Sequence, residues 1–274
     1  MELFDRIQEA VEYIQNRAKF QPKHGIVLGT GLSNLTDEID VVWSIPYGEI
    51  PHFPVSTVQS HKGQLVFGHL AGEPVVAMAG RFHYYEGYSM EQVTFPIRVM
   101  KFLGIDRLVI SNAAGGIQAH LHAGDLVFIH DHINLQPENP LRGANDERLG
   151  PRFPDMLKTY DPKMLSKAIE TAEALGIPAY PGVYVGLQGP NLETPAEYEY
   201  MHRIGGDVVG MSTVPEVIVA RHMDVPVFVV SVVTNRCYPI HEITETTVDE
   251  VIQVAQSSES KVTAIVKALI QAFQ

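Results

Sequence analysis

The chain has 274 residues, is 45% hydrophobic and carries a formal net charge of −12, from 20 Lys+Arg against 32 Asp+Glu. That length suits one substantial core in a single α/β domain over residues 1–274, and the acidic balance argues against a nucleic-acid or anionic-membrane surface, which needs clustered positive charge. The single cysteine, Cys237, excludes an internal disulfide and a Cys-based zinc site, and it fits the reducing cytoplasm.

The N-terminal run MELFDRIQEAVEYIQNRAKF spaces Leu3, Ile7, Val11 and Ile14 at helical intervals among charges, so it predicts an amphipathic helix rather than a signal peptide. No apolar run approaches the roughly 20 residues that span a bilayer. Short β-branched runs predict strands at 25–28, 74–79, 107–111, 125–130, 182–187 and 226–233. Helical patterns at 90–103, 161–175, 194–204, 214–223 and 247–273 fall between many of them. The alternation predicts an α/β fold with a mixed, largely parallel sheet flanked by helices. Glycines in KFLGID and EALGIP read as helix C-caps. Two irregular stretches stand out: 51–64, which reads as a mobile loop, and 134–155, a Gly/Pro-rich connection of a length that is usually functional.

Ligands of open α/β sheets sit beyond the carboxyl ends of the strands. Gly29–Leu32, Arg81, Asn112 and Asn235 all fall at predicted strand ends. At Gly29-Thr30-Gly31 a strand turns, and backbone N–H groups with the Thr30 hydroxyl can face an anion. A dinucleotide fingerprint would need glycine at 34, where Asn34 stands, and a lone GTG reads equally as a bare turn. Arg81 and His83 share one face of an extended segment, giving a charged fork and a second donor suited to phosphate. In isolation the same Arg-Phe-His run reads as an exposed strand end pairing with surface carboxylates. His120, His122, His130 and His132 lie close in sequence, but no convergent carboxylates or cysteines complete a metal site.

Taken together, DVVGMSTVPE at 207–216, RFHYYEG at 81–87, GTGL at 29–32, NAAGG at 112–116, NPLRGANDERLGPRFP at 139–154, LQGPNLETPAE at 187–197 and Thr234-Asn235 resemble the trimeric class of purine nucleoside phosphorylases. The resemblance runs almost end to end. It implies reversible phosphorolysis of 6-oxopurine (deoxy)ribonucleosides such as inosine and guanosine to free base and (deoxy)ribose 1-phosphate, a reaction of purine salvage. It assigns phosphate binding to Thr30, His61, Arg81, His83, the backbone at Ala113, and Ser212. Ribose contacts fall to Tyr85 and Met211, and the purine walls and base contacts to Leu192, Val209, Glu193 and Asn235. The catalytic groups are then His83, Glu193 and Asn235. A carboxylate at 193 accepts from the ring N1–H, and an amide at 235 donates to O6 or N7 as charge develops on the leaving base. The related methylthioadenosine phosphorylases carry aspartate where Asn235 stands. On their residues alone, Asn235 reads also as a turn cap, and Glu193-Thr194-Pro195 as a helix start. Phe153 matches an aromatic lent to the ribose site of a neighbouring subunit, which implies a homotrimer. No cofactor beyond the phosphate cosubstrate is expected, and no metal.

One position departs from the pattern: Val248 stands where the family usually has a histidine contacting the ribose 5′-hydroxyl. Either that hydroxyl is held otherwise, with His241 a candidate, or the pocket tolerates 5′-deoxy and 5′-thio substrates. A nucleoside hydrolase is disfavoured because the Thr30, Arg81, His83 and Ser212 set has no purpose in it.

Overall fold

The computed structural model of the chain describes residues 1–55, 57 and 62–274. The helices are α1 (Leu3–Ala18), α2 (Met90–Leu103), α3 (Pro162–Leu175), α4 (Pro195–Arg203), α5 (Val214–His222) and α6 (Val248–Ala272). The strands are β1 (His24–Leu28), β2 (Asp40–Pro46), β3 (Gln64–Leu70), β4 (Glu73–Ala79), β5 (Arg107–Gly116), β6 (Leu126–Asn134), β7 (Ala179–Gly186), β8 (Val208–Gly210) and β9 (Val227–Arg236).

Among the described residues they form one nine-stranded sheet in the order β2-β3-β4-β1-β5-β8-β7-β6-β9, and β9 also pairs with β5. That extra pairing closes β5, β9, β6, β7 and β8 into a ring, so the sheet is an open wing joined to a small barrel. Five neighbouring pairs are parallel and four antiparallel, a mixed sheet with a narrower parallel majority than the sequence pattern suggests.

The central strands read as unbroken apolar runs because helices cover both faces. Along β1, Val27 packs with the α1, α2 and α5 cluster, whereas Ile26 and Leu28 pack with the α3 and α6 cluster. β4 repeats the division, with Val76 and Met78 on one face and Val75 and Ala77 on the other. This is the period-two alternation of a strand. In α1 the buried positions are Ile7, Ala10, Val11 and Ile14, the spacing of one helical stripe.

The predicted helices match within a residue or two, since their ends carry chemical signals. Ser89 and Gln92 form a capping box at the start of α2, and Gly104 closes it in the left-handed region at φ 113°. Asp161 caps α3 and Gly176 ends it. Three strands have no counterpart in the sequence reading. β2 is a largely exposed edge, the apolar run of β3 is broken by Gly68 and His69, and β8 is three residues long. β5 and β9 also run on past their predicted ends, so Asn112 and Asn235 lie within strands rather than after them.

Candidate active site

A cavity of about 370 Å³ opens where the wing meets the barrel. It is lined from just beyond β1 by Gly29 and Thr30, from beyond β4 by Arg81, His83 and Tyr85, and from β5 by Asn112, Ala113, Ala114 and Gly115. Leu192 and Glu193 reach it ahead of α4, Tyr198 on α4, and Val209 to Ser212 from β8 and just beyond. Thr234 and Asn235 close it from β9, and Thr246, Thr247, Val248 and Val251 from the start of α6. The sheet thus gathers residues from nearly the whole chain.

At one end Arg81, 1% exposed, is held from several sides. It donates to Ser212 Oγ at 3.0 Å, Thr213 Oγ1 at 3.1 Å and the Ser111 carbonyl at 2.5 Å, and lies 3.4 Å from the Glu216 carboxylate. Burial pushes the Glu216 carboxyl up, and the Arg81 charge opposes that rise. Thr213 has φ 69° and ψ −57°, a strained conformation for a β-branched residue. The Val214 N–H donates to the Ser212 carbonyl across it at 2.7 Å, making a three-residue γ-turn. Arg81 and Asn112, whose Nδ2 donates to Thr213 Oγ1 at 2.9 Å, pin that turn from the opposite side. Strain of this kind persists only where the surroundings over-determine it, and here it aims Ser212 at the cavity.

His83 is fixed by Glu86 rather than by chance. The Glu86 Oε1 accepts from the His83 backbone N–H at 2.8 Å and meets His83 Nδ1 at 2.9 Å. Burial opposes ionisation of Glu86, but hydrogen bonds from His83 and Thr57 outweigh it and hold the carboxyl at about 2. A carboxylate there makes Nδ1 the donor. The Tyr85 ring stacks on His83 with centroids 4.7 Å apart.

The glycine turn does less than its sequence suggests. The Gly29 N–H donates to Ser111 Oγ at 3.4 Å and the Leu32 N–H to the Gly29 carbonyl at 3.1 Å. The turn leads into a short 3₁₀ segment rather than an α-helix, and Thr30 is among the residues that line the cavity. A Cβ on Gly29 would stand 2.8 Å from the Asn112 Cα, which is why the first position must be glycine.

At the other end Glu193 and Asn235 face the cavity together. Thr194 and Glu197 form the capping box of α4 with Pro195 in its first turn, so Glu193 lies outside the cap. Burial raises its carboxyl, and the Tyr198 hydroxyl works against that rise. The Asn235 amide is anchored by its neighbours: Oδ1 accepts from the Thr234 hydroxyl at 3.1 Å, and Nδ2 donates to Cys237 Sγ at 3.1 Å.

Thr30, Arg81, His83, Tyr85, Ala113, Leu192, Glu193, Val209, Met211, Ser212 and Asn235 therefore share one cavity. His61 lies outside the described residues. Phe153 is elsewhere, 87% exposed beside a separate cleft lined by His132, Arg142, Arg152 and Met156. His241 is exposed and absent from the cavity wall, with Nε2 3.7 Å from Glu242, whereas Val248 is on that wall. Of the histidine group, His132 Nδ1 meets the Tyr160 hydroxyl at 2.9 Å and His122 Nδ1 the His120 carbonyl at 2.9 Å. Among the described residues no helix is long and apolar enough to cross a membrane. Sequence reasoning missed Glu86, Thr213, Glu216 and Tyr198. The His-x-x-Glu spacing was a usable signal for the first, since three residues bring a side chain back to a preceding backbone amide.

A family model described as Phosphorylase superfamily matches residues 23–271. Purine nucleoside phosphorylase 1 of Bacillus subtilis is 47% identical over 270 residues, covering 98% of this chain and 99% of that protein. The purine nucleoside phosphorylase of Rattus norvegicus is 42% identical, covering 98% and 96%. Isoform 2 of the Schistosoma mansoni purine nucleoside phosphorylase, solved with cytosine and ribose-1-phosphate, matches with a TM-score of 0.94 at 39% identity over 99% of this chain and 97% of that one. A Schistosoma mansoni purine nucleoside phosphorylase solved with adenosine matches at 0.93 and 40% over 98% of each chain. The chain belongs to the phosphorylase superfamily and, within it, to the purine nucleoside phosphorylases, and it is an enzyme of that family.

Proposed function

We propose that the enzyme catalyses reversible phosphorolysis of 6-oxopurine ribo- and deoxyribonucleosides, releasing inosine's or guanosine's base and forming the pentose 1-phosphate. The observation that carries this reading is the placement of Arg81, His83 and Ser212 at one end of a cavity whose other end holds Glu193 and Asn235. Phosphate bound by the first group lies against the ribose, where its charge stabilises the oxocarbenium character of C1′ and its oxygen then attacks. The departing purine gathers negative charge, met by an Asn235 N–H, while Glu193 accepts from N1–H. Tyr85 and Met211 flank the ribose, and Leu192 and Val209 hold the base. Thr30 and Ala113 complete the phosphate end, with His61 assigned there by the sequence resemblance.

The reading extends to a cytoplasmic homotrimer in purine salvage that uses no cofactor or metal beyond phosphate. Its support for assembly is Phe153, a large aromatic exposed away from its own cavity.

The test is release of base from inosine, with adenosine and methylthioadenosine alongside, with and without phosphate and with a chelator. Phosphate-dependent hypoxanthine release, unaffected by chelation and with adenosine inert, is expected. Phosphate-independent release would make the enzyme a hydrolase. Preference for methylthioadenosine would instead favour a methylthioadenosine phosphorylase, the alternative that Val248 on the cavity wall supports and Asn235 opposes.

A further inference from the structure

The two side chains at the base end of the cavity are joined through residues that the chemistry above does not use. Cys237, 1% exposed, and Tyr198, 4% exposed, pack in one cluster with Ile117, Val185 and Val209. Cys237 Sγ accepts from Asn235 Nδ2 at 3.1 Å. The Tyr198 hydroxyl interacts with both the Cys237 thiol and the Glu193 carboxylate. Asn235, Cys237, Tyr198 and Glu193 thus make a line along one wall, and three of the four line the cavity itself.

The protons in this line have one consistent direction. A phenol has a single proton, and an ionised carboxylate is its stronger acceptor, so Tyr198 donates to Glu193. The phenol oxygen then accepts from the Cys237 S–H, and the sulfur accepts from Asn235. Burial keeps the thiol protonated, at about 11, and holds the phenol well above its ordinary value, so both links carry their protons at neutral pH. At the far end Thr234 donates to Asn235 Oδ1 at 3.1 Å. With the Thr234 proton on Asn235 Oδ1 rather than on the Ala114 carbonyl at 3.3 Å, and the thiol proton on Tyr198, turning the amide over sets donor against donor at one end and acceptor against acceptor at the other.

We propose that Tyr198 and Cys237 are positioning residues that fix the hydrogen-bond polarity of the base site, holding Asn235 as a donor and Glu193 as an acceptor. The proposal rests on the 6-oxopurine reading. A 6-oxopurine offers N1–H and O6, which meet an acceptor and a donor; a 6-aminopurine offers a bare N1 and an N–H, so each end meets its like. Selectivity then resides in two residues behind the contacts as well as in the contacts.

The test compares wild type with Cys237→Val, Cys237→Ser and Tyr198→Phe, assaying inosine and adenosine at saturating phosphate, with melting curves for each. Cys237→Val removes the acceptor at nearly constant volume and frees the amide to turn, so the inosine-to-adenosine ratio of kcat/KM falls about tenfold. Cys237→Ser keeps an acceptor and a donor and restores the ratio. Tyr198→Phe leaves Glu193 without its donor, which moves the acid limb of the inosine profile to higher pH. Phosphate KM stays at the wild-type value in all three. If Cys237→Val does not fold, Tyr198→Phe decides the matter through the acid limb. Folded variants that keep both the ratio and the limb, within about twofold of wild type, overturn the proposal alone. A wild type that cleaves adenosine as readily as inosine removes the 6-oxopurine reading, and the proposal with it.

Discussion

The Arg81 guanidinium lies 3.4 Å from the Glu216 carboxylate, with 1% and 2% of the two side chains exposed. The cation on the cavity wall therefore has a buried carboxylate behind it, supplied by the first turn of α5. Such a pair is costly to break from one side, because the survivor is left charged and desolvated. Arg81→Met should lower unfolding free energy by about 3–5 kcal/mol, whereas Arg81→Met combined with Glu216→Leu should recover much of that loss. Urea unfolding of the two variants checks this, and a double variant weaker than the single one would count against the pairing.

Glu86 should matter to both chemistry and acid stability. Its carboxyl, held at about 2 against an ordinary 4.5, contributes stability that is full above 4.5 and disappears as the pH falls toward 2. Glu86→Gln should flatten that stretch of the stability–pH curve. It should also reduce kcat/KM for phosphate about tenfold or more, since His83 loses a charge-assisted partner. Thermal melts from pH 2 to 6 with steady-state kinetics at pH 7 separate the two effects.

Val248 is 71% exposed at the cavity mouth and cannot hydrogen-bond a 5′-hydroxyl. Loss of that hydroxyl should therefore cost this enzyme less than it costs a relative with histidine at this position. 5′-Deoxyinosine compared with inosine in both enzymes gives the answer, and Val248→His should widen the gap here about tenfold. An equal or larger penalty in the wild-type chain removes the idea.

Phe153 tests assembly. An 87% exposed side chain contributes little to the stability of its own subunit, so Phe153→Ala should unfold within about 0.5 kcal/mol of wild type. If it completes a neighbour's ribose site, nucleoside KM should nevertheless rise about tenfold or more, with phosphate KM little changed. Sedimentation analysis of wild type supplies the subunit count. Unchanged nucleoside KM would detach Phe153 from the site.

The sequence by itself determined the helices, the central strands and most of the cavity wall. Helix ends carry local chemistry, such as the Ser89–Gln92 and Thr194–Glu197 boxes, and doubly covered strands such as β1 carry unbroken apolar runs. The chemistry-bearing residues were legible through the family resemblance, since local pattern alone reads Arg81 as a strand end, Glu193 as part of a helix start and Asn235 as a turn cap. Only the tertiary structure decided the β5–β9 closure, the strained turn at Thr213, the Glu216 counter-charge and the Tyr198–Cys237 link. Each is a contact between residues distant in sequence, or a conformation imposed by such contacts. Local periodicity is blind to them, because the free energy that selects them appears only when separate segments are brought into the same desolvated space.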